Sequence, residues 1–328
     1  MERLKPIPIH SVITHWAPDL DACCADWLPR QYGHRFFPGI EKAKYVFVDA
    51  GTTHYNGRNA DQLEAEGSLM IDVGGGRGDH HGRTETDCAT TLMAKLLGIE
   101  RRPELQRLLR YVRANDLSGA GATSDLADRI ATRHRLGYDI LETIRYAHAE
   151  FSFIVESERK LYLPALADYE KAQKVTFELN GQELRLAIVQ SDSSLLGRVF
   201  GERKDAAVLI QRMSTGQVSV LRLNDKREIV PYLDMRCVAA LIRLAEAGKR
   251  GIKIDPAAHK LRLTSDGTID EVPEWYYFEK MGGIFNGGPK SPGTDPTRVH
   301  IDDIADLVIR GLKMAVELAD KLPRKGAA

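Results

Sequence analysis

Apolar and polar positions alternate in two textures along the chain. Over the first eighty residues, short β-branched runs are separated by helical patterns. Residues 10–15 (His-Ser-Val-Ile-Thr-His) form an extended run, and 21–32 carry a helical pattern. Residues 45–49 (Tyr-Val-Phe-Val-Asp) and 68–72 (Ser-Leu-Met-Ile-Asp) are two further strand-like runs, each closing on an aspartate with a glycine shortly after. Strands alternating with helices predict an α/β fold with a mostly parallel, doubly wound sheet. Ligands in such sheets bind beyond the carboxyl ends of the strands, where these aspartates stand.

Residues 86–97 and 103–115 read as helices, the second with Pro103 in its first turn. Ile140, Ile144, Ala147, Phe151 and Ile154 then recur at steps of four and three, one face of a helix expected to run until Pro164 interrupts it. From Val175 the texture turns to strands. Residues 175–179 and 183–189 flank Asn180-Gly181, a hairpin signal because both turn positions require positive φ. A second hairpin is expected from 206–211 and 217–223, and an amphipathic helix carrying Ile304, Val308 and Leu312 closes the pattern. The expected organisation is an N-terminal α/β domain over 1–122, a helical connector over 123–172 and a smaller α+β domain over 173–328.

Composition narrows the classes. Of 328 residues, 46 are Lys or Arg and 46 are Asp or Glu, so the net charge is zero and no global field draws the chain to nucleic acid or anionic membrane. With 43% hydrophobic and 28% charged residues the chain is globular, not disordered. No apolar run approaches the roughly 18 residues of a membrane span, so no membrane partner is expected. The opening MERLKPIPIH lacks the apolar segment of a signal peptide. Cys23, Cys24, Cys88 and Cys237 form no C-x-x-C pair. A reducing, cytoplasmic location is the expectation.

Candidate chemistry lies in two motifs. The first is His15-Trp-Ala-Pro-Asp19-Leu-Asp21, directly after a strand, where alternation aims Asp19 and Asp21 the same way and His15 reaches the same point. Imidazole with carboxylates suits a hard or borderline divalent ion, Mn²⁺ or Mg²⁺; a plain helix N-cap at Asp19 is the simpler alternative. The second is Asp72-Val-Gly-Gly-Gly-Arg-Gly-Asp79-His80-His81-Gly-Arg83. The four glycines between Asp72 and Asp79 let the backbone bend tightly and approach an anion, or form an ordinary flexible loop.

His15-x-x-Pro-Asp19-x-Asp21 followed by Asp79-His80-His81 resembles the DHH phosphoesterase superfamily. The resemblance covers four motifs across residues 10–118 and implies a dinuclear centre whose two divalent ions, Mn²⁺ preferred and Mg²⁺ acceptable, activate a hydroxide. It implies that His15 and Asp19 hold one ion, that Asp21, His80 and Asp116 hold the other, and that Asp72 bridges, with Asp49 as the alternative bridge. It implies that Asp79 supports the histidines and that His81 and Arg83 face the phosphate. Asp-Val-Gly-Gly before Asp-His-His-x-Arg is similar to the branch related to the eukaryotic melanocyte-proliferating-gene protein, whose members are 3′–5′ RNA exonucleases. The first motif departs from that branch and is closer to pyrophosphatases and oligonucleotide hydrolases.

Residues 282–293 hold five glycines and two prolines. Gly287, Gly288, Lys290, Ser291 and Arg298 are the candidate substrate cradle, a solvent loop being the alternative. Trp275-Tyr-Tyr-Phe278 is a base-stacking cluster or, more ordinarily, a buried strand. The expected partner is single-stranded RNA or a short oligonucleotide, cleaved from the 3′ end; a second copy of the chain is left open. A small phosphate compound (pyrophosphate or a cyclic dinucleotide) is the alternative substrate, and neutral net charge favours small or short substrates. A non-catalytic nucleotide-binding protein of the same fold is the further alternative.

Overall fold

The computed structural model describes residues 6–81, 86–224, 233–288, 291 and 293–320. Arg83 and Lys290 lie outside them. The chain divides into two compact units, residues 1–160 and 161–328.

In the first unit, β1 (Ser11–His15), β2 (Lys44–Val48) and β3 (Ser68–Met70) form a parallel sheet in the order β2-β1-β3. The chain steps from β1 to β2 through α1 (Leu20–Tyr32) and then crosses back past β1 to β3 through α2 (Ala60–Ala65), so each face of the sheet receives helices. Alternation along β1 serves both. Val12 joins the core beneath α1, α3 (Ala89–Leu96), α4 (Gln106–Ser118), α5 (Leu126–Arg135) and α6 (Ile140–Ser157). Its neighbour Ile13 packs on the other face with Met70 and with Ala60 and Leu63 of α2. The doubly wound expectation thus holds for a sheet of three strands. The expected helix at 86–97 begins later, at Ala89, while the helical stretch expected to reach Pro164 does so in two parts: α6 ends at Ser157, a π-helical turn spans Glu158–Tyr162, and Pro164 stands in the first turn of α7 (Leu163–Glu170), where a missing N–H is tolerated.

The second unit carries a six-stranded mixed sheet, order β4-β5-β6-β7-β9-β8. Its strands are β4 (Gln173–Leu179), β5 (Gln182–Gln190), β6 (Val208–Arg212), β7 (Val218–Arg222), β8 (Trp275–Phe278) and β9 (Gly283–Asn286). Both expected hairpins form, β4–β5 and β6–β7. The first turns through Asn180 and Gly181 at φ of 50° and 73°, as a two-residue primed turn requires. On one face α9 (Arg236–Lys249) and α11 (Ile301–Asp320) bury Val238, Ile242, Val308 and Leu312; on the other, α7 and α8 (Leu196–Arg203) bury Tyr169, Val199 and Phe200. A short α10 (Lys260–Leu263) supports the far end of α9. No helix among the described residues is long and apolar enough to cross a membrane.

Candidate metal centre

The first motif forms at the carboxyl end of β1, the central strand. After His15, Ala17 takes a left-handed turn at φ 54° and Asp19 caps α1, accepting from the Ala22 amide at 3.0 Å. The simple capping reading of Asp19 is therefore true, and it does not exclude ligation: one oxygen holds the helix, and the carboxylate still groups with His15 and Asp72. Asp21, in the first turn of α1, is buried and accepts the Ala89 and Thr90 amides at 2.7 and 2.9 Å. It thereby satisfies the open N-terminus of α3.

The second motif forms from a looped chain beyond β3. Asp72 sits at φ 57°, and its amide donates to the Gly78 carbonyl at 2.9 Å, closing the glycine-rich segment into a ring. Gly74 is required there: its φ is 89°, and a Cβ would stand 2.4 Å from the Met70 sulfur. Asp79 braces the ring from inside. One oxygen accepts the Gly75 amide at 2.7 Å, and the other accepts the His81 amide at 3.0 Å and lies 2.8 Å from His81 Nδ1.

These loops converge. His15 Nε2 lies 3.4 Å from Asp72 Oδ2, and His80 Nε2 lies 3.5 Å from Asp72 Oδ1 and 3.7 Å from Asp116 Oδ2. Asp116 projects from the last turn of α4. Three groups place their ligating atoms within 4.8 Å of one another: His15, Asp19 and Asp72; Asp72, His80 and His81; and Asp21, Cys88 and Asp116. Asp72 belongs to two of them. Asp49 is exposed after β2 and belongs to none, so among the described residues the structure brings Asp72 and not Asp49 to the cluster. Cys88, a buried thiol at the start of α3, was not singled out by its sequence setting; only the fold of α3 against Asp21 reveals it.

The electrostatics show what the centre lacks. Burial, with the charges of Asp21 and Asp19 and against the hydrogen bond from His15, pushes Asp72 up to about 6. Burial and the nearby Asp21 charge push Asp116 up to about 6 as well. Burial alone would lower His15, but Asp72 and the Trp16 carbonyl outweigh it and raise the imidazole to about 9. Burial disfavours the charged form of Asp79, yet the amides and imidazole donating to it hold it below the ordinary carboxylate range. His81 is the exposed member, its side chain 65% accessible; Asp79 and Asp72 raise its basicity against desolvation. Two buried oxygens, Asp72 Oδ1 and Asp116 Oδ2, have no hydrogen-bond partner. Leaving such atoms unmatched costs several kcal/mol unless a cation answers them. Apart from the Cys88 sulfur, the donors are oxygen and imidazole nitrogen, which fit a divalent cation such as Mn²⁺ or Mg²⁺. His15 is already oriented for that role. Its Nδ1 donates to the Trp16 carbonyl at 2.9 Å, leaving Nε2 to face the acids.

In the second unit, Gly287, Gly288 and Ser291 line a cleft of about 700 Å³, together with Tyr276, Phe278 and Phe285. Trp275 and Tyr277 point the other way, into the core, as alternation on β8 dictates. Arg298 is exposed and outside that lining; its amide donates to Glu246.

No family model matches the chain, and no curated protein matches it. Among solved structures, an uncharacterised protein from Helicobacter pylori G27 is similar over 65% of this chain and 86% of that one, at 10% identity and a TM-score of 0.21. A putative family II inorganic pyrophosphatase from Methanococcus jannaschii is similar over 66% of this chain and 88% of that one, at 11% identity and a TM-score of 0.15. At these scores neither likeness carries an argument.

Proposed function

We propose that the first unit is the catalytic centre of a divalent-metal-dependent phosphoesterase, and that its substrate is single-stranded RNA or a short oligonucleotide shortened from the 3′ end. The observation that carries the reading is the pair of partnerless buried oxygens on Asp72 and Asp116, facing His80 inside converging acid–imidazole groups. In this reading His15, Asp19 and Asp72 would hold one cation, and His80 and Asp116, with Asp21 grouped beside Asp116, would hold a second. When bound, divalent cations supply Lewis acidity toward phosphoryl oxygens and a nucleophile at neutral pH. The chain's own residues do the rest. Asp79 fixes the imidazole of His81. His81, exposed and raised in basicity, donates toward non-bridging oxygens where charge collects in the transition state. Asp21 ties the centre to α3, so the ligands are set on rigid elements.

The test is hydrolysis of a 5′-labelled short RNA with Mn²⁺, with chelator, and with an Asp72→Asn protein checked for native folding, beside a pyrophosphate assay. Chelator-sensitive shortening from the 3′ end, lost in the variant, is expected. Full activity in a folded Asp72→Asn protein would overturn the reading of the centre. Phosphate release from pyrophosphate alone would move the substrate to small phosphates.

A further inference from the structure

One aromatic feature of the first unit has no part in the metal centre yet adjoins it in the chain. Trp16 follows His15 directly and is 55% exposed. A single exposed tryptophan is ordinary; this one is built into a stack. Its amide donates to the Val48 carbonyl at 2.9 Å, and its own carbonyl accepts from His15 Nδ1. The backbone is thus pinned on both sides. The indole lies over Phe47, centroids 5.4 Å apart at 32°, and Phe47 is stacked on Tyr45 at 6.0 Å and 2°. The parallel register sets this row, pairing Val12 with Tyr45 and Thr14 with Phe47 on one face of the edge strand β2. The inner end is anchored, because the Tyr45 hydroxyl donates to buried Asp26 and the Arg30 guanidinium lies 4.7 Å from the Tyr45 ring. The outer end is an indole held in place and open to solvent.

A rigid aromatic face on the residue that follows His15, and that accepts from its imidazole through the main chain, matches a ligand that carries phosphate at one end and an aromatic ring at the other. We propose that Trp16 is a stacking platform for the nucleobase of the substrate, and so the residue that selects nucleotides over base-free phosphates. The proposal rests on the reading of the centre as a phosphoester site. A pyrophosphate-type substrate would leave the platform without a partner, whereas a nucleotide occupies both parts. The stack is formed in advance, so binding pays little to order it.

The test titrates the full chain, in the presence of Mn²⁺, with 5′-AMP and with ribose 5-phosphate, which differ only in the base. Affinities are read by calorimetry, and indole fluorescence is read in parallel. Trp27 and Trp275 are 2% and 0% exposed, so quenching by a stacked base reports on Trp16. The expected result is AMP binding about tenfold tighter than ribose 5-phosphate, in the range of one base–aromatic stack, with quenching by AMP alone. Trp16→Ala equalises the two affinities, and Trp16→Phe restores most of the preference. Equal, chelator-sensitive binding of both ligands would overturn the platform and leave the metal centre standing. A preference unchanged in Trp16→Ala would also overturn it, and binding of neither ligand would overturn the platform together with the reading of the centre.

Discussion

The acid–histidine centre of the first unit and the cleft of the second are built from opposite materials. Acids lining the cleft stand singly beside a guanidinium or an amide: Glu274 lies 2.6 Å from Arg250, although its Oε1 makes no hydrogen bond, and Asp192 accepts the Ser214 amide at 2.7 Å. Its remaining wall is largely aromatic, methionine and glycine. In the centre the acids outnumber their partners, and two oxygens have none. The roomier cavity spaces its acids apart, while the tighter cluster crowds several carboxylates together, so that protons or a cation must answer them. Unmet charge locates chemistry better than volume does.

Substitutions in the centre break this contrast most severely. Asp72→Asn removes the carboxylate shared by two ligand groups and is expected to lower turnover by about a thousandfold or more, measured on labelled RNA; Asp49→Asn, at the other strand-terminal aspartate, leaves turnover intact. Asp79→Asn acts one step removed. It loses the brace on His81 and the Gly75 amide, and it is expected to lower turnover or cation affinity about 10- to 100-fold, read by kinetics and by Mn²⁺ titration. Gly74→Ala forces a Cβ into a left-handed position against Met70 and is expected to cost about 1–3 kcal/mol of stability, read by denaturant unfolding.

A gentler test sharpens the comparison through pH. In the cation-free fold Asp72 and Asp116 keep their protons up to about 6 and His15 keeps its proton up to about 9. The folded state therefore binds more protons than the unfolded chain across these windows, and the contribution of these groups to stability falls as pH rises through them. A cation must displace the same protons. The rise in melting temperature conferred by Mn²⁺ is expected to grow as pH increases through about 6, and a constant increment would contradict the assigned ligands. The smallest effect belongs to the cleft: Phe278→Ala leaves that Mn²⁺ increment unchanged.

Local patterns were legible in the sequence; their long-range closure was not. The hairpin at Asn180-Gly181 follows from neighbouring residues and forms as expected, and Asp19 caps α1 as its position before the helix suggests. Two aspartates closing strands, Asp49 and Asp72, were equivalent as sequence. They separate only because β3 enters on the opposite side of β1 from β2, and the glycine ring turns Asp72 back over the strand end. Cys88 and Trp16 were missed for the same reason: Cys88 meets Asp21 from 67 positions further along the chain, and Trp16 gains its stack from strand β2. Likewise β9 inserts between β7 and β8, a pairing that no local signal marks.

The left-handed backbone of Asp72 has a consequence for inheritance. Few residues tolerate that conformation, and glycine and asparagine are the other two that do so readily. A descendant of this chain that abandons chemistry while keeping its shape has those two replacements open to it. Neither carries a charge, so loss of activity at this position leaves a recognisable mark: an asparagine or glycine where the lineage once kept an acid.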